Sequence, residues 1–166
     1  MNYLKVNDWL LGCNYKNMKI VICASIDFTP KIKEVADILS AEGHEVEIPF
    51  TSQRILRGEF TLEDFLHEKD KNGDSGFRED AFAKMKDDLI KLHYKKISES
   101  DGILILNLEK KGIPGYIGGN TFLEMGFAYV LDKKIYLYNN IPDVSYSDEI
   151  IAMRPFVLEG DLSRIK

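Results

Sequence analysis

Gly102-Ile103-Leu104-Ile105-Leu106-Asn107-Leu108 (GILILNL) is the stretch on which the fold turns. Its side chains do not alternate between apolar and polar; they stay apolar until Asn107. A strand that is apolar on both faces is buried on both faces, and this is the habit of parallel sheets covered by helices. Working outward, "MKIVICASI" at 18–26 is a second run of this kind, and "KKIYLYN" at 133–139 is another strand. "HEVEIPF" at 44–50 reads as a strand closed by Pro49.

Helical signals separate these runs. In "DFTPKIKEVADILSAEGHEV", Thr29 can cap a helix, Pro30 suits its first turn, and Ile32, Val35, Ala36 and Leu39 recur at helical spacing. Gly43 supplies the stop. A longer helix is predicted from about residue 78, with Phe82, Met85, Leu89, Leu92 and Ile97 on one face. "TFLEMGFAYVL" at 121–131 is a further helix. Around these, "TLEDFLHEK" at 61–69 suggests a short helix and "DKNGDSG" at 70–76 a turn or mobile loop. "SYSDEIIAM" at 145–153 suggests a last helix, and "PFVLEGDL" at 155–162 a short edge strand. The alternation of strand and helix predicts one α/β domain, flavodoxin-like or Rossmann-like. It has a mostly parallel sheet of about five strands with helices on both faces. That domain is expected over 18–166. Residues 1–17 precede it as an extension that either packs through Leu4, Trp9, Leu10 and Leu11 or is a partly disordered tail.

Composition narrows the function classes. The 166 residues are 45% hydrophobic and 30% charged, an ordinary globular balance. With 22 basic against 27 acidic residues, the net charge is −5, which gives no footprint for nucleic acid. A small anionic ligand would have to rely on local donors. The N-terminal stretch lacks the long apolar region of a signal peptide or membrane span, so a cytoplasmic protein without a membrane partner is expected. Cys13 and Cys23 make neither a metal spacing nor a disulfide framework, and Cys23 reads as a buried, inert thiol. His44, His67 and His93 are scattered, and His93 reads as a packing residue.

In open parallel sheets, ligands bind outside the carboxyl ends of the strands. Two loops lie there: "ASIDFTP" at 24–30 and "EKKGIPGYIGGN" at 109–120. The second has no dinucleotide or P-loop spacing. It does offer Gly118 and Gly119, which allow close backbone approach or positive φ, directly before a helix whose amino end favours anions or sugar oxygens. A plain tight loop is the other reading. Glu124 also has two readings. Thr121-Phe122-Leu123-Glu124 matches a capping box, in which Glu124 folds back to the amide of Thr121. Alternatively, Glu124 is an ionised carboxylate in the first helical turn, kept dry by Phe122, Leu123, Met125 and Phe127, and suited to attack a sugar carbon. Gly126 beside it would then permit close packing or ligand approach. Asp101 is either a turn residue before Gly102 or a second carboxylate reaching the same pocket. Ser25 could donate to a ligand but lies in no nucleophile elbow.

Taken together, "MKIVICASI", "ISESDGILILN" and "GGNTFLEMGFAYVLDKKIYLYN" resemble the nucleoside 2-deoxyribosyltransferase superfamily, which includes the 2′-deoxynucleoside 5′-monophosphate N-glycosidases. The resemblance covers roughly residues 18–160. It implies that Glu124 is a nucleophile forming a glycosyl-enzyme intermediate, with Gly126 and Ala128 as its small neighbours. It further implies that Asp101 stands near the sugar or base, and that the first loop (Ser25, Ile26, Asp27) and the second (Tyr116, Gly118, Gly119, Asn120) bind substrate. A homodimer or higher homo-oligomer is implied, with the segment Ser147 to Met153 donated across the interface. The implied ligand is a small nucleoside or nucleotide, and no metal or organic cofactor is implied.

Three positions depart from that pattern. Val21 stands where a strand tyrosine orients the nucleophile, Asp27 where the monophosphate-cleaving branch has an arginine, and Gly118 where some transferases have an aspartate. Tyr116 and Tyr94 are the candidate replacements for the tyrosine hydroxyl. "YIGGNTFLE" also resembles the glycine-rich loop of the cytokinin-activating phosphoribohydrolases, whose chemistry is again N-glycosidic cleavage, though their companion arginine is not evident. A nucleotide-binding or sensing module without turnover is the alternative, and Val21 and Asp27 favour it.

Overall fold

A computed structural model describes residues 17–72 and 80–166, with side chains described for 17–67 and 86–166. Its centre is a sheet of β1 (Lys19–Cys23), β2 (Glu45–Glu47), β3 (Gly102–Ile105), β4 (Lys134–Leu137) and β5 (Phe156–Val157). The strand order is β2-β1-β3-β4-β5, and every neighbouring pair is parallel. This is the flavodoxin-like order, whose topological switch point lies between β1 and β3.

Among the described residues, six α-helices connect the strands: α1 (Thr29–Ala41), α2 (Phe50–Leu56), α3 (Leu62–Asn72), α4 (Asp80–Ser98), α5 (Gly119–Val130) and α6 (Ser147–Ala152). The period of two along each strand divides the core into two layers. Ile20, Ile22 and Leu104 face α1, where Ile32, Val35 and Leu39 are buried against them. Val21, Cys23, Ile103 and Ile105 face the other way, onto Ile97 of α4, Met125 and Ala128 of α5, and Ile150 of α6. Each such side chain contributes about 1.5–3 kcal/mol on burial, so the central strands anchor the domain from both sides. Cys23 belongs to the second layer, beneath α4 and α5.

The α/β fold and the parallel five-stranded sheet agree with the sequence reading. Several local expectations do not. The strands are shorter than predicted; the 102–108 run is a strand only over Gly102–Ile105, after which Leu106 continues into the connecting loop. Helix α2 was not anticipated, because "FTSQRIL" carries no apolar stripe. Its buried residue is Ser52, whose hydroxyl lies 3.0 Å from that of Thr29. Thr29 itself is the first residue of α1 rather than its cap, and its hydroxyl donates to the carbonyl of Ile26 at 2.6 Å. On α4 the inward face is shifted by one residue: His93 and Ile97 are buried, while Leu92 is 38% exposed. The expected roles of Phe82 and Met85, of most of "DKNGDSG" and of nearly all of the 1–17 extension lie outside the described residues.

Candidate functional site

The two loops at the switch point are fixed by one buried amide. Asn107 accepts from the backbone N–H of Asn139 at 2.8 Å, and its Nδ2 donates to the carbonyl of Asn140 at 2.9 Å. Asn139 returns a bond from its own side chain to the carbonyl of Asn107 at 2.9 Å. The loop after β3 is therefore tied to the loop after β4. Gly115 lies in this knot with φ +68°, and a Cβ there would stand 2.7 Å from the carbonyl of Asn140. Such a backbone needs glycine for both reasons. Beyond it the chain turns through Tyr116 and Ile117 into α5.

Helix α5 starts earlier than the capping-box reading requires. Its N-cap is Gly118 and its first residue Gly119, which places Thr121 inside the helix. No side chain caps the helix, and Glu124 lies in the second turn. The capping-box reading is therefore corrected. So is the placement of Glu124 at the helix dipole, since the first turn holds no acidic residue. Gly118 and Gly119 do not supply positive φ either. A Cβ on Gly118 would meet the Tyr116 ring at 3.2 Å, whereas Gly119 and Gly126 both face open space.

Glu124 lines a pocket of about 870 Å³ at the carboxyl ends of β1 and β3. The pocket wall brings together Ser25 and Ile26 from the first loop with Tyr116, Gly118, Gly119 and Asn120 from the second. Helices α2 to α4 close its other side, with Phe50, Phe60, Phe65 and Leu89 among its apolar lining. Asp27 stands just behind this wall. Its carboxylate accepts from the Ser25 hydroxyl at 2.5 Å and from the Lys110 amine, and Lys110 also donates to Ser25 at 2.8 Å. Burial raises the Asp27 carboxyl, but the bonds from Lys110 and Ser25 outweigh it and hold it below the usual range.

One expected residue lies elsewhere. Asp101 sits at the amino end of β3, where its Oδ2 accepts from the Lys19 amide at 2.8 Å. It is exposed and does not line the pocket, because Glu124 stands at the opposite end of the sheet. The expectation that Asp101 shares the pocket is corrected on that ground. Met153, expected to reach a neighbouring subunit's pocket, follows α6 and packs against the second core layer of its own chain. Tyr94 is 42% exposed, stacks edge-on against Phe127 and does not line the pocket.

What does stand beside Glu124 is a pair of residues with no motif spacing. His93 of α4 places Nε2 3.5 Å from Glu124 Oε1, and the same nitrogen is 3.4 Å from Cys23 Sγ. His93 reaches inward because it is one turn before Ile97 on the buried stripe of α4. Cys23 reaches inward because it is two residues beyond Val21 on the same strand face. Glu124 belongs to the buried stripe of α5, three residues after Thr121 and four before Ala128. The donor atoms of the three residues all lie within 4.8 Å of one another.

Burial decides their charge. It pushes the Glu124 carboxyl up to about 8, with the Cys23 hydrogen bond opposing only in part. Burial, helped by the charge of Lys96, lowers the His93 imidazole to about 4. Burial also lifts the Cys23 thiol well above its ordinary value, and the neighbouring carboxylate adds to the rise. All three shifts favour the uncharged forms. Burial therefore works against the ionised Glu124 expected from the sequence. Three pocket cations are already partnered: Lys110 by Asp27, Lys96 by Glu47 at 2.8 Å, and Arg54 by Glu59 at 2.6 Å.

Among the described residues, no helix is long and apolar enough to cross a membrane. No protein-family profile matches the chain, and no curated protein matches it in sequence. Among solved structures, the chain is similar to the CMP N-glycosidase BcmB of Clostridium botulinum. The sequence identity is 18% and the TM-score 0.41, over 84% of this chain and 85% of that one. That degree of likeness carries no functional argument.

Proposed function

We propose that the protein cleaves or transfers at the N-glycosidic bond of a nucleoside or nucleotide, with Glu124 as nucleophile. The observation that carries this reading is the position of Glu124: a half-buried carboxyl lining a large pocket at the switch point, with no capping bond to its own helix start. The sequence resemblance of "GGNTFLEMGFA" to N-glycosidic enzymes supplies the substrate class.

In this mechanism the sugar lies against Gly118 and Gly119, and an oxygen of Glu124 attacks C1′ from the face opposite the base. The C1′–N bond breaks, and the departing base takes its proton from water. Water or a second base then attacks the glycosyl ester and frees the carboxylate. Two displacements at one carbon give net retention of configuration. Glu124 must lose its proton before it attacks. That proton leaves to solvent through the pocket, since burial holds the neighbouring His93 imidazole at about 4, too weak a base to take it. A sugar ring developing oxocarbenium charge favours the ionised carboxylate more than the resting pocket does. The stabilisation therefore appears mainly in the transition state.

A second reading, a nucleotide-binding module without turnover, is favoured by the burial that raises the Glu124 carboxyl to about 8 and by the placement of Asp101 outside the pocket. Incubation with a panel of nucleosides and deoxynucleoside monophosphates, followed by chromatography for free base, separates the two. Base release that falls on the order of 10³-fold or more in Glu124→Gln supports the enzyme. Ligand binding with no release by the unmodified protein supports the module.

A further inference from the structure

Cys23, His93 and Glu124 offer a thiol, an imidazole and a carboxyl, the three side-chain types that zinc prefers. They come from β1, α4 and α5, and their order along the chain gives no metal-binding spacing. The Cys23 Sγ to His93 Nε2 distance is 3.4 Å and the His93 Nε2 to Glu124 Oε1 distance is 3.5 Å. A tetrahedral zinc ion bonds sulfur at about 2.3 Å and nitrogen or oxygen at about 2.0–2.2 Å, so its donors stand roughly 3.3–3.7 Å apart. Two edges of such a tetrahedron are already present, and the third donor pair lies within 4.8 Å.

Charge supports the same assignment. A divalent ion held by one thiolate, one carboxylate and one neutral imidazole is electrically balanced, which suits a buried floor where a net charge would be costly. Cys23 is wholly buried and His93 nearly so, while His93 and Glu124 also line the pocket.

We propose that Cys23, His93 and Glu124 bind one zinc ion at the floor of the pocket, and that bound zinc silences Glu124 as a nucleophile. Binding forms one bond to each donor atom and releases the thiol proton of Cys23 and the carboxyl proton of Glu124, and His93 coordinates through Nε2. The binding claim stands independently of the glycosidase reading; the silencing claim rests on it.

The test titrates chelator-treated full-length protein with Co²⁺ and then Zn²⁺, watching the ultraviolet and visible spectrum. Expected is one equivalent of Co²⁺ with tetrahedral visible bands and a thiolate charge-transfer band, all displaced by Zn²⁺. In Cys23→Ser the charge-transfer band is lost and zinc affinity falls at least about 100-fold. Because Cys13 is also in the chain, retention of that band in Cys23→Ser overturns the assignment, as does the absence of one-to-one binding. If the variant does not fold, X-ray absorption on the zinc-loaded unmodified protein decides. One sulfur neighbour at about 2.3 Å is expected, and an all-oxygen-and-nitrogen shell overturns the site. Base release that stops with one equivalent of Zn²⁺ and returns with chelator supports silencing. Unchanged release with zinc bound refutes it. Zinc binding in a protein that releases no base under any condition sinks the glycosidase reading and leaves the metal site standing.

Discussion

Burial raises the Glu124 carboxyl to about 8, because it has lost most of its water and gained only a thiol and an imidazole in exchange. Two consequences follow at the scale of this residue. In metal-free protein kept with chelator, base release should rise with pH through about 8, as the carboxyl ionises; a flat profile between pH 6 and 9 would contradict it. Stability should move the other way. A carboxyl whose folded value lies above its unfolded value favours folding at low pH, and the advantage is lost as pH rises from about 4.5 toward 8. Glu124→Gln should therefore be the more stable protein at pH 9, by about 1–3 kcal/mol in denaturant unfolding, and indistinguishable near pH 4. Asp27 makes a separate prediction. It already occupies Lys110, so a phosphate must compete for that amine. Asp27→Asn should tighten binding of a nucleoside monophosphate about tenfold relative to the nucleoside, measured by calorimetry on both ligands. The carboxylate of Glu124 could be singled out in the sequence from its apolar neighbours. Its partners could not, since Cys23 and His93 meet only when a strand and two helices pack, and no local spacing encodes that meeting.

At the scale of elements, the site depends on how two loops are held. Asn107 joins the loop after β3 to the loop after β4 through backbone groups of Asn139 and Asn140. Asn107→Ala would leave several buried donors and acceptors without partners, each costing about 1–3 kcal/mol. A loss of roughly 2–4 kcal/mol in chemical denaturation is expected, together with weaker ligand binding; a loss under about 0.5 kcal/mol would show that the loops are held otherwise. The role of Asn107 was hidden in the sequence because it sits in an apolar run and acts on residues more than thirty positions away. The helix boundary at Gly118 was hidden for a different reason. Thr121 and Glu124 have the spacing of a capping box, and only the earlier start of α5 shows that the spacing is unused. Helix α2 was missed because its inward position is taken by Ser52, which is satisfied by Thr29 rather than by apolar packing. By contrast, the strands were legible from continuous apolar runs, and α1 from its 3.6-residue period, because both faces of the sheet are covered and burial leaves an unambiguous pattern.

For the whole molecule, strand order sets where chemistry can occur. The order β2-β1-β3-β4-β5 opens a crevice at β1 and β3, and the pocket lies there. The surface also leaves Val130, Ile151 and Phe156 more than half exposed, at the end of α5, on α6 and on β5. We propose that a second copy of the chain covers these side chains, as the sequence resemblance implies. Light scattering on the purified protein should give twice the 19.0 kDa of one chain, and Phe156→Glu should shift it to the monomer mass. A monomer at micromolar concentration would contradict this. The central claim, that Glu124 forms a bond to the sugar, is tested most directly by acid-quenching the protein during turnover of a nucleoside or nucleotide it cleaves and mapping the adduct by peptide mass spectrometry. The account predicts a mass increase equal to one glycosyl residue on the peptide containing Glu124. Base release with that peptide unmodified at every quench time, and with inversion at C1′, would contradict it.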